Sequence, residues 1–163
     1  MFECLKLRVQ DLNFDLKVLT VHDGKGRKDR TVPLPQVLVP ELLGQLETVK
    51  RVHREDLAGG YAGTFLPGAL AEKYKRAEKE LVWQWVFPAK ALTRVHATGE
   101  LRRYHLYETH VQSAIKRAVQ LSQIPKRASA HTFRHSFASH LLQARVARAQ
   151  RRQDDHDLHA YRA

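Results

Sequence analysis

Four residues near the C-terminal end of the chain, His131-Thr132-Phe133-Arg134, have the types and spacing to hold a phosphate and move a proton. They open a segment, Thr132 to Ala144, whose pattern predicts a helix, preceded by Ser129-Ala130-His131. Positions i and i+3 share a helix face, so His131 and Arg134 can address one ligand. They would do so where free backbone N–H groups and the helix dipole already favour an anion. Arginine offers a forked, permanently charged donor for two phosphate oxygens. Histidine adds a donor that titrates near neutrality. The same spacing also fits a helix-start histidine and a surface arginine bonded only locally. Lys25, between Gly24 and Gly26, is a second candidate. Glycine allows close backbone approach to a ligand, although Asp23-Gly24 and Gly26 are equally ordinary turn chemistry. His131, His135 and His140 raise the question of a metal. No glutamate completes a His-Glu-x-x-His pattern and no acidic residue lies between Leu121 and Gln153, so no metal site and no cofactor are assigned. Trp83, Trp85, Tyr104 and Tyr107 are interspersed with Lys75, Arg76, Arg102 and Arg103. Such interleaving suits base stacking, and a Trp-x-Trp segment also suits core packing.

The elements that must position these residues follow from periodicity. Phe2, Leu5, Leu7, Val9 and Leu12 read as the buried face of a helix already under way at the first residue. Leu16 to His22 and Arg30 to Leu34 read as two strands around a Gly-containing turn, a β-hairpin. Leu38 to Leu57 has helical spacing at Leu42, Leu43, Leu46 and Val49, with Pro40 in the first turn. Gly59 to Gly68 is a loop, Ala69 to Lys79 a basic helix, Trp83 to Phe87 a strand, and 89–103 a loop or irregular hairpin around Thr98-Gly99. Tyr107 to Leu121 is a further helix. The fold class is therefore mixed, mainly α, with a small antiparallel β-hairpin or sheet.

Composition narrows the function. The chain has 163 residues, 43% hydrophobic and 28% charged, which suits a folded domain and excludes collagen-like and largely disordered classes. No apolar run is long enough to span a bilayer and no secretory signal is visible. A single cysteine, Cys4, excludes an internal disulfide, so a reducing, cytoplasmic setting is expected. Twenty-eight lysines and arginines against seventeen acids give a net charge of +11, which favours a polyanionic partner, above all nucleic acid.

Taken in order, these segments resemble a tyrosine recombinase catalytic domain of the phage integrase family, and more closely an integron integrase. Glu3-Cys4-Leu5-Lys6-Leu7-Arg8-Val9-Gln10-Asp11-Leu12 looks like the stretch after the family's first catalytic arginine. Gly24-Lys25-Gly26-Arg27-Lys28-Asp29-Arg30-Thr31-Val32-Pro33-Leu34 looks like its β-hairpin. Trp85-Val86-Phe87-Pro88-Ala89 through Arg102-Arg103 and Tyr107, then Lys116-Arg117-Ala118-Val119, looks like the integron-specific insertion and the helix after it. Ala130-His131-Thr132-Phe133-Arg134-His135-Ser136-Phe137-Ala138 is the most specific match. The resemblance implies site-specific DNA recombination through a phosphotyrosyl intermediate, without metal. It implies Lys25, His131 and Arg134 as catalytic, with Lys25 protonating the leaving oxygen. Arg27, Lys28, Arg102, Arg103, Trp83, Trp85, Tyr104 and His105 become candidate contacts to DNA, double-stranded or folded single-stranded, in the bacterial cytoplasm. Residues 1–144 read as a partial catalytic domain truncated at both ends, with the insertion at about 60–106. Family members act as tetramers through an exchanged C-terminal helix, which this chain is not expected to supply. The alternative is a basic DNA-binding remnant without enzymatic activity.

Residues 145–163 have little to bury and read as a disordered tail. Shifted by one nucleotide, codons for residues 145–152 permit Glu-Leu-Leu-Gly-His-Ser-Asp-Val. Those for 154–160 permit Thr-Thr-Met-Ile-Tyr-Thr-His, the family's nucleophile segment. Tyr161, the tail's one tyrosine, lacks that context. The tail is therefore expected to be translated out of frame. Sequencing the coding DNA tests this, and codons that do not spell the segment in the shifted frame refute it.

Overall fold

The computed structural model describes residues 2–24, 28–66, 68–74, 76–125 and 127–143. The tail at 145–163 and the hairpin tip at 25–27 lie outside the described residues. The chain divides into two units, Met1–Glu108 and Thr109–Ala163.

In the first unit, α1 (Phe2–Leu5) is a single turn rather than the start of a helix reaching Leu12. The backbone that would continue it is engaged elsewhere: the Leu7 carbonyl accepts the Val86 N–H at 2.9 Å, and the Val9 N–H donates to the Gln84 carbonyl at 3.0 Å. A 3₁₀ turn over Val9–Asp11 follows, and Asp11 Oδ2 accepts the Arg8 N–H at 2.7 Å. Leu5, Leu7 and Leu12 are buried and Val9 is half-buried, without the helix that their spacing predicts.

The predicted hairpin is present and carries a third strand. β1 (Leu12–Asn13), β2 (Val18–Val21) and β3 (Arg30–Pro33) form an antiparallel sheet in that order, with Leu12 opposite Leu19 and Val21 opposite Arg30. Asn13 Oδ1 accepts the Leu16 N–H at 2.8 Å and closes the first turn. Pro33, which has no N–H to donate, falls on an edge strand.

α2 (Val39–Ala58) has Pro40 in its first turn, where the missing N–H costs nothing. Val49 is buried on its inner face, and Leu42 and Leu46 pack against the core of Leu7, Leu12 and Val86. The helix ends where Gly60 takes φ +73°, so that Tyr61 N–H reaches the Asp56 carbonyl at 3.1 Å.

Residues 60–106 do not follow the sequence pattern throughout. β4 (Gly63–Thr64), β5 (Thr93–Arg94) and β6 (Leu101–Arg103) make a second sheet in the order β4-β6-β5, with β4 parallel and β5 antiparallel to β6. The hairpin expected around Thr98-Gly99 is the β5–β6 turn, with Gly99 at φ +72°. Gly63 sits at φ +116°, and a Cβ there would meet the Glu78 backbone carbonyl at 2.8 Å, so only glycine fits. The basic helix is shorter than expected. α3 (Gly68–Lys73) stops before Arg76, whose φ of 78° is incompatible with a helix, and Ala77–Lys79 is a separate 3₁₀ turn. Trp83 to Phe87 is not a strand. Leu81–Trp83 is a 3₁₀ turn, and Trp85 and Pro88 make only isolated bridges, to Arg8 and His105. The Gln84 and Phe87 carbonyls accept from Val9 and Leu106, and the Val86 N–H donates to Leu7, rather than to a neighbouring strand.

Two arginines bind this region together. Arg103 is buried, its Nε donates to Asp56 Oδ2 at 2.8 Å, its Nη2 bonds Asp56 Oδ1, and its Nη1 donates to the Ala89 carbonyl at 2.8 Å. Arg8 lies with its guanidinium carbon 3.8 Å from the centre of the Trp85 ring and donates to the carbonyls of Trp83 at 2.5 Å and Phe65 at 2.7 Å. Burial pulls its pKa down to about 10.

The second unit holds α4 (Glu108–Leu121), beginning at the unit boundary, and α5, helical over 130–143. Of the residues whose spacing predicts one apolar face, Val111, Ile115 and Val119 are half-buried along α4, whereas Ala114 is exposed. Ser129 caps α5: its Oγ accepts the Thr132 N–H at 3.3 Å while Thr132 Oγ1 accepts the Ser129 N–H at 3.1 Å. Phe133, Phe137, Leu141 and Leu142 are exposed. No helix among the described residues is long and apolar enough to cross a membrane.

Removing one partner of a buried ion pair strands the other charge. Asp56→Ala is therefore expected to destabilise the chain by about 3–5 kcal/mol in denaturant titration, and replacing both residues with Leu and Met to cost less. A loss of under ~1 kcal/mol for Asp56→Ala would contradict this role for the pair.

Candidate functional site

α5 carries both residues of the His-x-x-Arg pair. His131 and Arg134 are both exposed and lie in the first turns after the Ser129 cap. The reciprocal Ser129–Thr132 bonds fix where the helix begins, and hence which face carries the two side chains. His131 also meets His135 one turn on, with Nε2 to Nε2 at 2.7 Å.

The hairpin stem is described up to Gly24 and again from Lys28. Lys25 and Arg27 lie outside the described residues. Lys28 is exposed, and its carbonyl accepts the Gly24 N–H at 3.2 Å. The stem is held by Asp29, which accepts the Asp23 N–H at 3.0 Å on one oxygen and bonds His22 Nδ1 at 2.7 Å with the other. His22 Nε2 also lies 3.4 Å from Asp11 Oδ1. Asp23 has φ 51°, a turn conformation that aspartate tolerates. Arg30 adds a two-point bond to Glu3, at 2.9 and 2.7 Å. The two carboxylates flanking His22 differ in environment. The Asp23 N–H and then His22 hold the Asp29 carboxyl below its ordinary value. Burial pushes Asp11 up, against the opposing pull of the Arg8 N–H and His22. The register accounts for the His22–Asp29 pairing: with Val21 opposite Arg30, the next rung is His22 opposite Asp29.

The candidate DNA contacts at 83–105 divide into a scaffold and a face. Arg103, Trp85 and His105 are buried. Arg103 is spent on Asp56 and Ala89, so its role in this fold is structural. Trp85 Nε1 donates to the Arg103 carbonyl at 3.3 Å, and its ring lies under Arg8. His105 bonds the Leu106 carbonyl through Nδ1 at 2.9 Å, which places the proton on Nδ1, and its buried Nε2 has no partner among the described residues. Tyr104 and Trp83 are half-buried and Tyr107 is exposed. Tyr104 stands among Phe65 at 5.4 Å, Trp85 at 6.0 Å, Tyr107 at 5.5 Å and His105 at 4.1 Å between ring centres. Arg102 is half-buried, donating to Glu100 at 3.0 Å and to the Thr64 carbonyl at 3.2 Å. Sequence reasoning missed Asp56, Arg8 and Phe65 as supports of this face. Their partners lie 47, 75 and 39 residues away in the chain (for Phe65, Tyr104), and no local pattern marks such pairs.

A family profile described as Phage integrase family matches residues 1–150. The chain belongs to that family, the tyrosine recombinases. Among its relatives, an "Integrase/recombinase" of Escherichia coli is 44% identical over 142 residues, covering 87% of this chain and 42% of that protein. "Tyrosine recombinase XerC" of Halalkalibacterium halodurans is 27% identical over 140 residues, covering 86% of this chain and 36% of that protein. "Tyrosine recombinase XerA" of Pyrococcus furiosus is 48% identical over a shorter stretch of 44 residues. The chain thus spans less than half the length of these relatives.

Because Asp11 binds protons more readily folded than unfolded, its charge lowers stability as pH rises through the interval between its unfolded pKa and its raised folded one. Asp29 has the opposite sign: its contribution is present above the unfolded pKa and is lost as pH falls through the depressed folded one. Asp11→Asn is expected to keep or raise the melting temperature at pH 7, the difference closing as the solution is acidified until Asp11 is protonated. A melting temperature well below the parent's at pH 7 would contradict that reading.

Proposed function

We propose that this chain carries the DNA-binding and phosphate-binding part of an integron-type site-specific recombinase. The observation that carries this reading is the exposed His131–Arg134 pair at the capped start of α5. Arg134 supplies the forked donor and His131 a second donor to the non-bridging oxygens of one backbone phosphate, where charge accumulates during transfer. Lys25 is the proposed acid for the leaving oxygen. The hairpin stem supports this proposal because Asp29, His22 and the Glu3–Arg30 pair hold both strands on either side of the tip.

The integron-type assignment rests on the aromatic face at 83–107. Tyr104, Trp83 and Tyr107 offer ring surface for unpaired bases of a folded strand, with Arg102, Lys28 and Arg27 as phosphate contacts. Arg103, Trp85 and His105 enter as the framework beneath that face. The 163-residue polypeptide is proposed to bind DNA without cleaving it. Its residues after Ala144 do not spell the family's nucleophile segment, and losing one member of a cooperative catalytic set removes most of the chemistry.

Two measurements test this. Salt-titrated binding should favour a folded hairpin DNA over random duplex. Tyr104→Ala should reduce that preference by about 1–3 kcal/mol, and His131→Ala/Arg134→Ala should weaken binding to both DNAs. Equal affinity for the two DNAs across the salt range would refute the integron-type reading. A suicide DNA substrate should yield no covalent adduct; a phosphotyrosyl adduct would overturn the claim that this polypeptide does not cleave.

A further inference from the structure

The meeting of His131 and His135 has a chemistry separate from DNA. Their rings, one helical turn apart on α5, stand at 89° with centres 4.2 Å apart and with the two Nε2 atoms 2.7 Å from each other. At that separation one Nε2 must donate a proton and the other accept it, so the two nitrogens aim at a common point. We propose that His131 and His135 form a two-point binding site for a late first-row divalent transition metal such as Ni²⁺, Cu²⁺ or Zn²⁺.

The geometry suits that class of ion. Metal–imidazole bonds of about 2.0–2.1 Å subtending a near-tetrahedral angle need nitrogens roughly 3.3 Å apart. Opening the present contact by about 0.6 Å achieves this, within the reach of small side-chain rotations on an exposed helix face. In the metal-bound form both rings offer the Nε2 lone pair with the hydrogen on Nδ1, so the ring that now donates through Nε2 gives that proton to water and takes one up on Nδ1. Imidazole nitrogen favours Ni²⁺, Cu²⁺ and Zn²⁺ over Mg²⁺ or Ca²⁺, which seek oxygen. The positive end of the helix dipole and the neighbouring Arg134 oppose a cation here. Both effects are weakened by solvent at an exposed site, whereas the two nitrogen–metal bonds are direct. Two protein ligands leave the remaining coordination positions to water. A bound metal would occupy the His131 Nε2, the same atom that the histidine pair now uses, and would thereby take this face of the ring out of any phosphate contact. The site rests on the helix geometry alone and stands or falls independently of the recombinase reading.

The test is calorimetric titration of the full chain with Ni²⁺ in a buffer without carboxylates or phosphate. One equivalent should bind in the parent and in His140→Gln. It should weaken by at least about tenfold in His131→Gln and separately in His135→Gln. His156→Gln/His159→Gln should retain it, which excludes the tail histidines. Far-ultraviolet circular dichroism checks that α5 persists in each variant. Undiminished binding in His135→Gln with the helix intact, or loss of the equivalent in His156→Gln/His159→Gln, would overturn the proposal.

Discussion

A buried guanidinium organises the first unit. Arg103 gives its fork to Asp56 at the end of α2 and a further donor to the Ala89 carbonyl, while its own carbonyl accepts from Trp85 Nε1 and Thr64 Oγ1. One residue thereby joins the long helix, the small second sheet and the Trp85 segment. A buried charge must be paired and saturated with hydrogen bonds, so these elements cannot shift independently without stranding it. Arg8 repeats the device, lying over Trp85 and closing on the carbonyls of Trp83 and Phe65.

These bonds explain why residues 60–106 hold a defined shape with little regular structure. Only short strands, single turns and the six-residue α3 occur there, and few backbone groups have ladder partners. The two arginine side chains supply donors from the side to the carbonyls of Trp83, Phe65 and Ala89. In doing so they consume Arg103 and bury Trp85 and His105, leaving Tyr104, Trp83 and Tyr107 as the face of the cluster. The basic and aromatic residues of this stretch thus split between holding the fold and facing solvent.

The hairpin shows the same economy at smaller scale. Asp29 serves as a turn acceptor for the Asp23 N–H and as partner to His22, and His22 in turn approaches the buried Asp11. The strands are fixed at the point where they leave the sheet, before the glycine-flanked tip. On α5 the Ser129–Thr132 reciprocal cap does equivalent work, fixing the start of the helix that carries the exposed His131, Arg134 and His135.

What was legible from the residues alone was what neighbours in the chain decide. The helix at 39–58, the hairpin strands, the helix at 108–121 and the helix carrying His131 and Arg134 all follow from a 3.6-residue period, β-branched runs and glycine turns. The collinear motifs that place the chain among the tyrosine recombinases are of this local kind. The third strand at Leu12–Asn13 pairs across a short turn with Val18 and Leu19, a pairing that no apolar or β-branched run announces. The break of the first helix after Leu5 and the irregular course of Trp83 to Phe87 were decided only by tertiary pairing, where backbone groups that could have bonded locally met partners tens of residues away. The same holds for the arginines: composition marks Arg102 and Arg103 alike as basic residues beside aromatics. Only Asp56, 47 residues earlier, decides that the second of them is buried as an ion pair rather than left facing solvent.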